Sequence, residues 1–392
     1  MNKLFNVSHI TAGFTAVLVG YTSSVVIVIQ AATTLGATPS QIESWLLALG
    51  VVMGITSMTF SWFLKTPILT AWSTPGAAIL ASGSYFYDLQ SIIGAFMVSG
   101  LLIVLTGLIK PLNNLIKAVP ASLASAMLAA IVLPICLAAF GTLSSTPVLF
   151  VVMFLAYIIT KKLAPRYTML VVLVVGVLAT LISSQEALLP STFDMAQPDW
   201  IAPQWNIAAI INIALPLYLV TMLSQNLPGI AMLKSHNYDV PVSSILLGTG
   251  LFNLLFAPLG AFSVNLAAIS AAICMNKDVD SDRTQRYRAA MWAGVFYLLA
   301  GVFATSVVAL FLSLPSEVSK ILAGFALLGT LLMCLQSAFS IEGNQESALI
   351  TFLVTLSGIT LLGISSTLWG LVFGFVYWRV MRIREQHPQT KP

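Results

Sequence analysis

The chain is 392 residues long, 58% hydrophobic and 8% charged, with 17 Lys+Arg, 13 Asp+Glu and a formal net charge of +4; its mean hydropathy is +0.96. A soluble domain carries about 25% charged residues, so this composition excludes an ordinary soluble fold and indicates a polytopic membrane protein. Scattered basic residues exclude a nucleic-acid-binding face, and three isolated cysteines (Cys136, Cys274, Cys334) exclude a disulfide framework and a zinc pattern.

Apolar runs of the length that spans a bilayer occur in the first half near 10–35, 42–62, 67–83, 89–109, 118–140, 147–160 and 167–183. In the second half they lie near 206–233, 241–257, 259–275, 287–312, 318–339, 346–362 and 364–381. Segments 67–83 and 259–275 are short and interrupted by Gly or Pro, and 147–160 is short as well. The opening run is too long for a signal-peptide core and has no clear cleavage site, so it is expected to be retained. Fourteen segments with both termini cytoplasmic put every Lys and Arg except Lys320 inside, and Asp88, Glu186, Asp194 and Asp199 outside. That is the positive-inside bias. The long outer connection, 184–205, holds Pro190, Pro198, Pro203, Trp200 and Trp205 and separates two seven-segment halves. Its tryptophans suit the headgroup boundary.

The third segment contains AWSTPGAAI (Ala71 to Ile79) and the tenth AFSVNLAAI (Ala261 to Ile269). Aligned in that order they share Ala, Ser, Ala, Ala and Ile and match Trp72 to Phe262, and each follows a proline, Pro67 or Pro258. An odd number of segments per half inverts the second copy, and inverted repeats with Gly/Pro-broken segments mark secondary transporters. Pro75 has no N–H and pushes Thr74 out of the helical region. Ser263 and Asn265 favour local hydrogen bonds and helix starts. Each segment is therefore expected to be an extended stretch followed by a half-helix. Two half-helix N-termini facing each other at mid-membrane would form an anion site without a basic side chain. From sequence, Pro-kinked structural helices with small packing residues are the plainer alternative.

The densest polar cluster is PLYLVTMLSQNLPGI in the eighth segment, with Thr221, Ser224, Gln225, Asn226 and Pro228. A Gln–Asn pair at that depth needs partners or water. Its first-half counterpart, GYTSSVVIVIQ, offers Tyr21, Thr22, Ser23, Ser24 and Gln30. No charged residue or His is expected in mid-segment: Glu43, Glu317, Glu342 and Glu346 lie at helix ends, and His9, His236 and His387 are expected to be solvated. Walker, HExxH and GxSxG motifs are absent, so ATP-driven transport, a metalloprotease and a serine hydrolase lack their chemistry. No catalytic residue, cofactor or metal is expected.

The stretches GFTAVLVGYTSS, TAWSTPGAAIL, APRY (Ala164 to Tyr167), LVTMLSQNLPGIAML and NLAAISAAIC resemble the bacterial benzoate:proton symporter family over nearly the whole chain. AWSTPGAA and SQNLPGI are the specific parts. That family is related to the uracil/xanthine permeases and the sulfate-permease anion transporters. The resemblance implies an all-α integral membrane fold of fourteen transmembrane segments in two inverted seven-segment repeats, with broken half-helices in segments 3 and 10. It also implies a core domain (1–117 and 206–312, segments 1–4 and 8–11) and a gate domain (118–205 and 313–392, segments 5–7 and 12–14 with a cytoplasmic tail). The gate commonly mediates a homodimer. Carried over residue by residue, the substrate site would use Tyr21 and Ser24, then Trp72, Ser73 and Thr74, then Gln225 and Asn226, and finally Phe262, Ser263 and Asn265. The nucleobase permeases place one carboxylate where this chain has Gln225 and another near Val264. Their absence suits an anionic substrate and leaves proton coupling without an obvious carrier. The substrate itself and a helix-end glutamate such as Glu43 are both open.

The expected function is import of an aromatic carboxylate such as benzoate across the bacterial inner membrane, by proton symport with elevator-type alternating access. The carboxylate would rest on N–H groups and hydroxyls near Ser73, Thr74, Ser263 and Asn265, and the ring would stack in a pocket containing Trp72 and Phe262. The expected partners are this small carboxylate, a proton, the lipid bilayer and a second copy of the chain. Transport of a nucleobase or another organic anion, and channel-like anion conduction, are the alternatives. A receptor or scaffold is disfavoured by the mostly short loops.

Overall fold

The computed structural model describes residues 6–83, 87–109, 119–183 and 194–386. Helix α1 (Val7–Thr34) starts at an Asn6 cap and hands over to α2 (Pro39–Leu64) through Gly36, whose φ of +80° suits a residue without Cβ. Thr38 and Gln41 close a capping box around Pro39. The two helices are antiparallel, so Ser44 lies at the end of the molecule opposite His9. These are called here the far and near ends.

Strand β1 (Thr70–Trp72) leads into half-helix α3 (Thr74–Ser82), followed by α4 (Leu89–Leu108), α5 (Ala121–Ser145), α6 (Pro147–Leu163) and α7 (Thr168–Ser183). Helix α8 (Ile207–Ser235) carries two π-helical turns, Ile210–Ala214 and Met222–Asn226. Next come α9 (Val242–Phe256), β2 (Val264–Leu266) and the second half-helix α10 (Ile269–Met275). Helices α11 (Tyr287–Val302), α12 (Ala304–Ser313), α13 (Ser316–Phe339) and α14 (Gln345–Leu356) lead to a hairpin, β3 (Thr360–Leu361) with β4 (Ile364–Ser365), and to α15 (Ser366–Gln386).

Among the described residues, 8 helices are long and apolar enough to cross a membrane, and 9 if the pair Arg283–Val302 and Ala304–Ser313, bent by 61°, is one span. The other expected segments are the shorter or broken pieces β1–α3, α6, β2–α10 and α14, and α15, which is long but less apolar. Two expected boundaries are corrected. The run 287–312 is not one straight helix: it breaks at Phe303, next to Val302, whose carbonyl accepts the Ala196 N–H (2.9 Å). The run 346–362 stops being helical at Leu356, where Gly358, Leu362 and Gly363 take positive φ and build the hairpin.

Helix α11 packs on α2 and α1, α4 packs on α9, and α1 also contacts α3 and α10. A second set joins α5 to α13 and α14, α14 to α15, and α6 to α7. Small residues permit the closest approaches: a Cβ on Gly54 of α2 would stand 2.8 Å from the Gly294 carbonyl of α11. Across the far end runs an extended strap. Its N–H groups on Asp199, Ile201 and Gln204 donate to the Ser44 hydroxyl and to the Pro258 and Gln90 carbonyls. Trp200 and Trp205 on this strap are exposed. Lys3, Lys110, Lys117, Glu186, Pro190, His387 and Lys391 lie outside the described residues.

At the near end the expectation for His9 is overturned. It is 1% exposed, with Nε2 2.9 Å from an Asp280 carboxylate oxygen, and the neighbouring Ser8 hydroxyl donates to the Val279 carbonyl (2.8 Å). The loop between α10 and α11 folds back over the start of α1 and covers it. His236 is half-buried against the Met232 carbonyl. All three cysteines are free and buried.

Candidate substrate site

The two broken segments meet as a two-stranded antiparallel ribbon. Thr70 pairs with Leu266, Ala71 with Asn265 and Trp72 with Val264. Extended backbone inside a helical membrane protein must have every N–H and C=O satisfied, and the outer edges show how this is done. On the β1 side, the Thr70 N–H donates to Ser57 Oγ (3.0 Å), the Thr70 hydroxyl donates to the Met53 carbonyl (3.1 Å), and Ser61 Oγ serves both N–H and C=O of Ile68. On the β2 side, the Asn253 carboxamide of α9 takes the Val264 N–H (2.7 Å) and gives an N–H to the Val264 carbonyl (2.9 Å). Asn226 Oδ1 takes the Leu266 N–H (3.0 Å). Beyond the strands, Ser73 N–H donates to the Ser263 carbonyl and Ala267 N–H to the Leu69 carbonyl, both at 2.9 Å.

This register corrects the motif alignment. The strand centres are Ala71 and Asn265, so Ala71 corresponds to Asn265, one helical turn beyond the Ala261 that sequence identity selected. Ser73 caps its half-helix, with Oγ taking the Gly76 N–H at 3.0 Å, and Thr74, expected outside the helical region, is the first helical residue. Ser263 does not cap, and Asn265 does not start a helix: it sits inside β2. With its amide oriented to satisfy its neighbours, Asn265 accepts the Ser73 N–H (3.1 Å) and donates to the Leu266 carbonyl (3.0 Å). Helix α10 begins only at Ile269, after the uncapping residue Ala268.

The two N-termini therefore differ. In α3, Pro75 has no N–H and that of Gly76 is taken, leaving Thr74. In α10 the N–H groups of Ile269, Ser270 and Ala271 have no partner among the described residues, and Ile269 is 73% exposed. Ser270 lies beside Gly20 of α1, which also abuts the Tyr297 hydroxyl. One turn along α1, the Ser24 hydroxyl accepts the Trp72 indole N–H (2.8 Å) and donates to the Gly20 carbonyl (2.8 Å). The Tyr21 ring leans on Trp72 with centroids 4.9 Å apart, and its buried hydroxyl has no partner.

The sequence-derived residues thus separate by what they touch. Tyr21, Ser24 and Trp72 are buried and touch one another. Ser73 and Ser263 are buried and bridged by the Thr221 hydroxyl (3.3 and 2.9 Å), and Asn226 and Asn265 are used by the ribbon. Thr74 and Gln225 are partly exposed, and the Gln225 amide makes no hydrogen bond among the described residues. Phe262 is fully buried at the back, packed against Trp45 and Phe96 at 6.3 and 6.1 Å, so the aromatic partner of Trp72 is Tyr21. Asn253 was missed, although a lone carboxamide in the apolar run GLFNLLF was its signal. Among the described residues no group of three or more His, Cys, Asp or Glu is placed to hold a metal.

The chain matches the family described as benzoate membrane transport protein (BenE) over residues 3–380. It is 42% identical to the inner membrane protein YdcO of Escherichia coli K12 over 383 residues, covering 97% of this chain and 98% of that one. It is 36% identical over 377 residues to the benzoate membrane transport protein of Acinetobacter baylyi, covering 96% of each. Among solved structures it resembles the transmembrane domain of the cyanobacterial bicarbonate transporter BicA (TM-score 0.61, 16% identity, 95% of this chain and 98% of that one). It also resembles the murine anion transporter Slc26a9 in its inward-facing state (TM-score 0.62, 12% identity, 97% and 69%). At these identities the two structures speak to the fold, a mostly helical membrane fold of inverted repeats, while the sequence relationship decides the kind of protein. The chain belongs to the benzoate membrane transport protein family and is a membrane transporter, not an enzyme.

Proposed function

We propose that this protein imports an aromatic carboxylate such as benzoate across the bacterial inner membrane, by proton symport. The observation that carries the reading is the set of polar groups left without partners around the ribbon. These are the Tyr21 hydroxyl, the Gln225 amide and the N–H groups of Thr74 and of the first turn of α10. All are neutral and most can donate, which suits an anion held without a counter-cation. The tilted Tyr21–Trp72 pair supplies aromatic faces against which the ring can pack. Ser73, Ser263, Asn226 and Asn265 support the seat from behind, and Phe262 packs beneath it.

Fourteen crossings with both termini cytoplasmic are part of this reading. Alternating access is of the elevator type, with a core (1–117 and 206–312) that carries the ribbon past a gate (118–205 and 313–392). The two packed helix sets support that division, and a homodimer forms through the gate. Uptake of labelled benzoate into cells tests the site: Gln225→Ala should lower the initial rate at least tenfold at equal expression. Unchanged uptake in that variant would sink the assignment.

A further inference from the structure

At the near end an open cavity of about 590 Å³ lies between the end of α8, the last turn of α10 and the loop that joins α10 to α11. None of the residues of the central site lines it. Its lining carries three cations, Lys277, Arg283 and Arg286, and among the described residues no Asp or Glu. Asn237 and Asn276 add neutral polar groups, and little of the lining is apolar.

Arg286 is 6% exposed. Its Nε donates to the Asp280 carbonyl (2.8 Å) and its Nη1 to the Met275 carbonyl (2.9 Å), where α10 ends. The Tyr238 hydroxyl lies beside it. All of these partners are neutral, and among the described residues the guanidinium forms no ion pair. A buried Arg rarely stands without a counter-charge, because it has lost its hydration and gained nothing of opposite sign. The end of a helix supplies about half a negative charge at most. The nearby acidic residues are placed elsewhere. The Asp280 carboxylate is on His9, and Asp282 accepts the Thr284 N–H and hydroxyl. Asp239 and Asp278 are exposed and do not line the cavity.

Lys277 and Arg283 are exposed, and neither forms an ion pair among the described residues. The Arg283 guanidinium lies over the Tyr238 ring, 5.3 Å from its centroid, and its N–H groups make no hydrogen bond there. Accessible donors and an uncompensated buried charge therefore border one space.

We propose that this cavity is an anion site that takes a phosphate group. An aromatic carboxylate would find little apolar surface here, whereas a tetrahedral group with several acceptor oxygens can answer all three cations. That chemistry is shared by a soluble phosphate ester and by the headgroup of an anionic phospholipid, which basic pockets between membrane helices recognise. An occupant would tie the end of α8 to the end of α10 and to the loop that covers His9.

The test uses the purified, delipidated full-length chain in detergent. Inorganic phosphate is titrated calorimetrically, and retention of phosphatidylglycerol against phosphatidylcholine is read by native mass spectrometry. Lys277→Gln combined with Arg283→Gln, both at exposed positions, should weaken the bound phosphate group about tenfold. Arg286→Gln should weaken it at least as much. Because Arg286 also fastens the end of α10, the double variant decides the matter if Arg286→Gln does not fold. Binding of inorganic phosphate without preference for phosphatidylglycerol identifies a soluble phosphate as the occupant. Preferential retention of phosphatidylglycerol identifies the lipid headgroup. Binding of neither probe, or equal binding by the native chain and the double variant, would overturn the proposal.

Discussion

The Ser365 N–H donates to Asn212 Oδ1 at 2.7 Å, and the same carboxamide donates to the Gly363 carbonyl (2.7 Å) and to the Tyr87 hydroxyl (2.9 Å). One side chain, 5% exposed, thus fastens α8 to the β3–β4 hairpin and to the residues before α4. Asn212→Ala removes all three bonds and should cost about 2–3 kcal/mol at roughly 1 kcal/mol net each. Thermal unfolding of the purified protein reads this as a drop of several degrees. An unaltered midpoint would mean that the hairpin is held by its own strand pairing alone.

Asn253→Ala should be harsher for its size. It strands the N–H and C=O of Val264, both fully buried, and unmet backbone groups at that depth cost about 1–3 kcal/mol each. Asn253→Leu, of similar volume, strands the same two groups and should lose a comparable amount in the same unfolding scan. Near-native stability of the Leu variant would show that lost packing, not the two bonds, sets the cost.

Tyr21→Phe has the opposite sign for stability. The hydroxyl is buried without a partner, so deleting it removes a desolvation cost and should leave the midpoint unchanged or slightly higher. Benzoate affinity should fall by up to about tenfold, the worth of one hydrogen bond. A destabilised variant with unchanged affinity would assign the hydroxyl to structure.

At the near end, His9→Ala leaves the Asp280 carboxylate, 20% exposed, without its partner and should cost about 1–3 kcal/mol. His9→Ala combined with Asp280→Ala should recover part of that loss, because the stranded charge goes with its partner. A double-mutant cycle by thermal unfolding measures the difference, and strict additivity would show that the pair contributes nothing.

What could be seen in the sequence was what the chain states locally. Pro75 announces a break and a helix start, and the structure places α3 there, although Thr74, expected outside the helical region, is its first residue and Ser73 is the extended cap. The second broken segment has no such local statement. Asn265 looks like a helix start, but its partner across the ribbon decides its conformation, and that partner is on a distant stretch of chain. Phe262 was matched to Trp72 by residue type, yet burial against Trp45 and Phe96 sends it elsewhere. His9 was misjudged for a related reason: the loop that covers it comes from after α10. Composition located the helices; it could not say which polar residues would be spent on holding backbone.

The ribbon also sets an order of assembly. As the chain emerges, α2 can serve one edge of β1 at once, through Ser57, Ser61 and Met53. The other edge, with the Leu69 carbonyl and the Ser73 N–H, has no partner until Ser263 and Ala267 have been made. Bare backbone cannot remain against lipid, so the first half is unfinished when synthesised, and the strand waits for its counterpart. The ribbon therefore cannot close until the chain has been made through Ala267. A chain arrested before residue 266 would carry an open strand edge inside the bilayer, the kind of exposed lesion that marks a membrane protein for degradation.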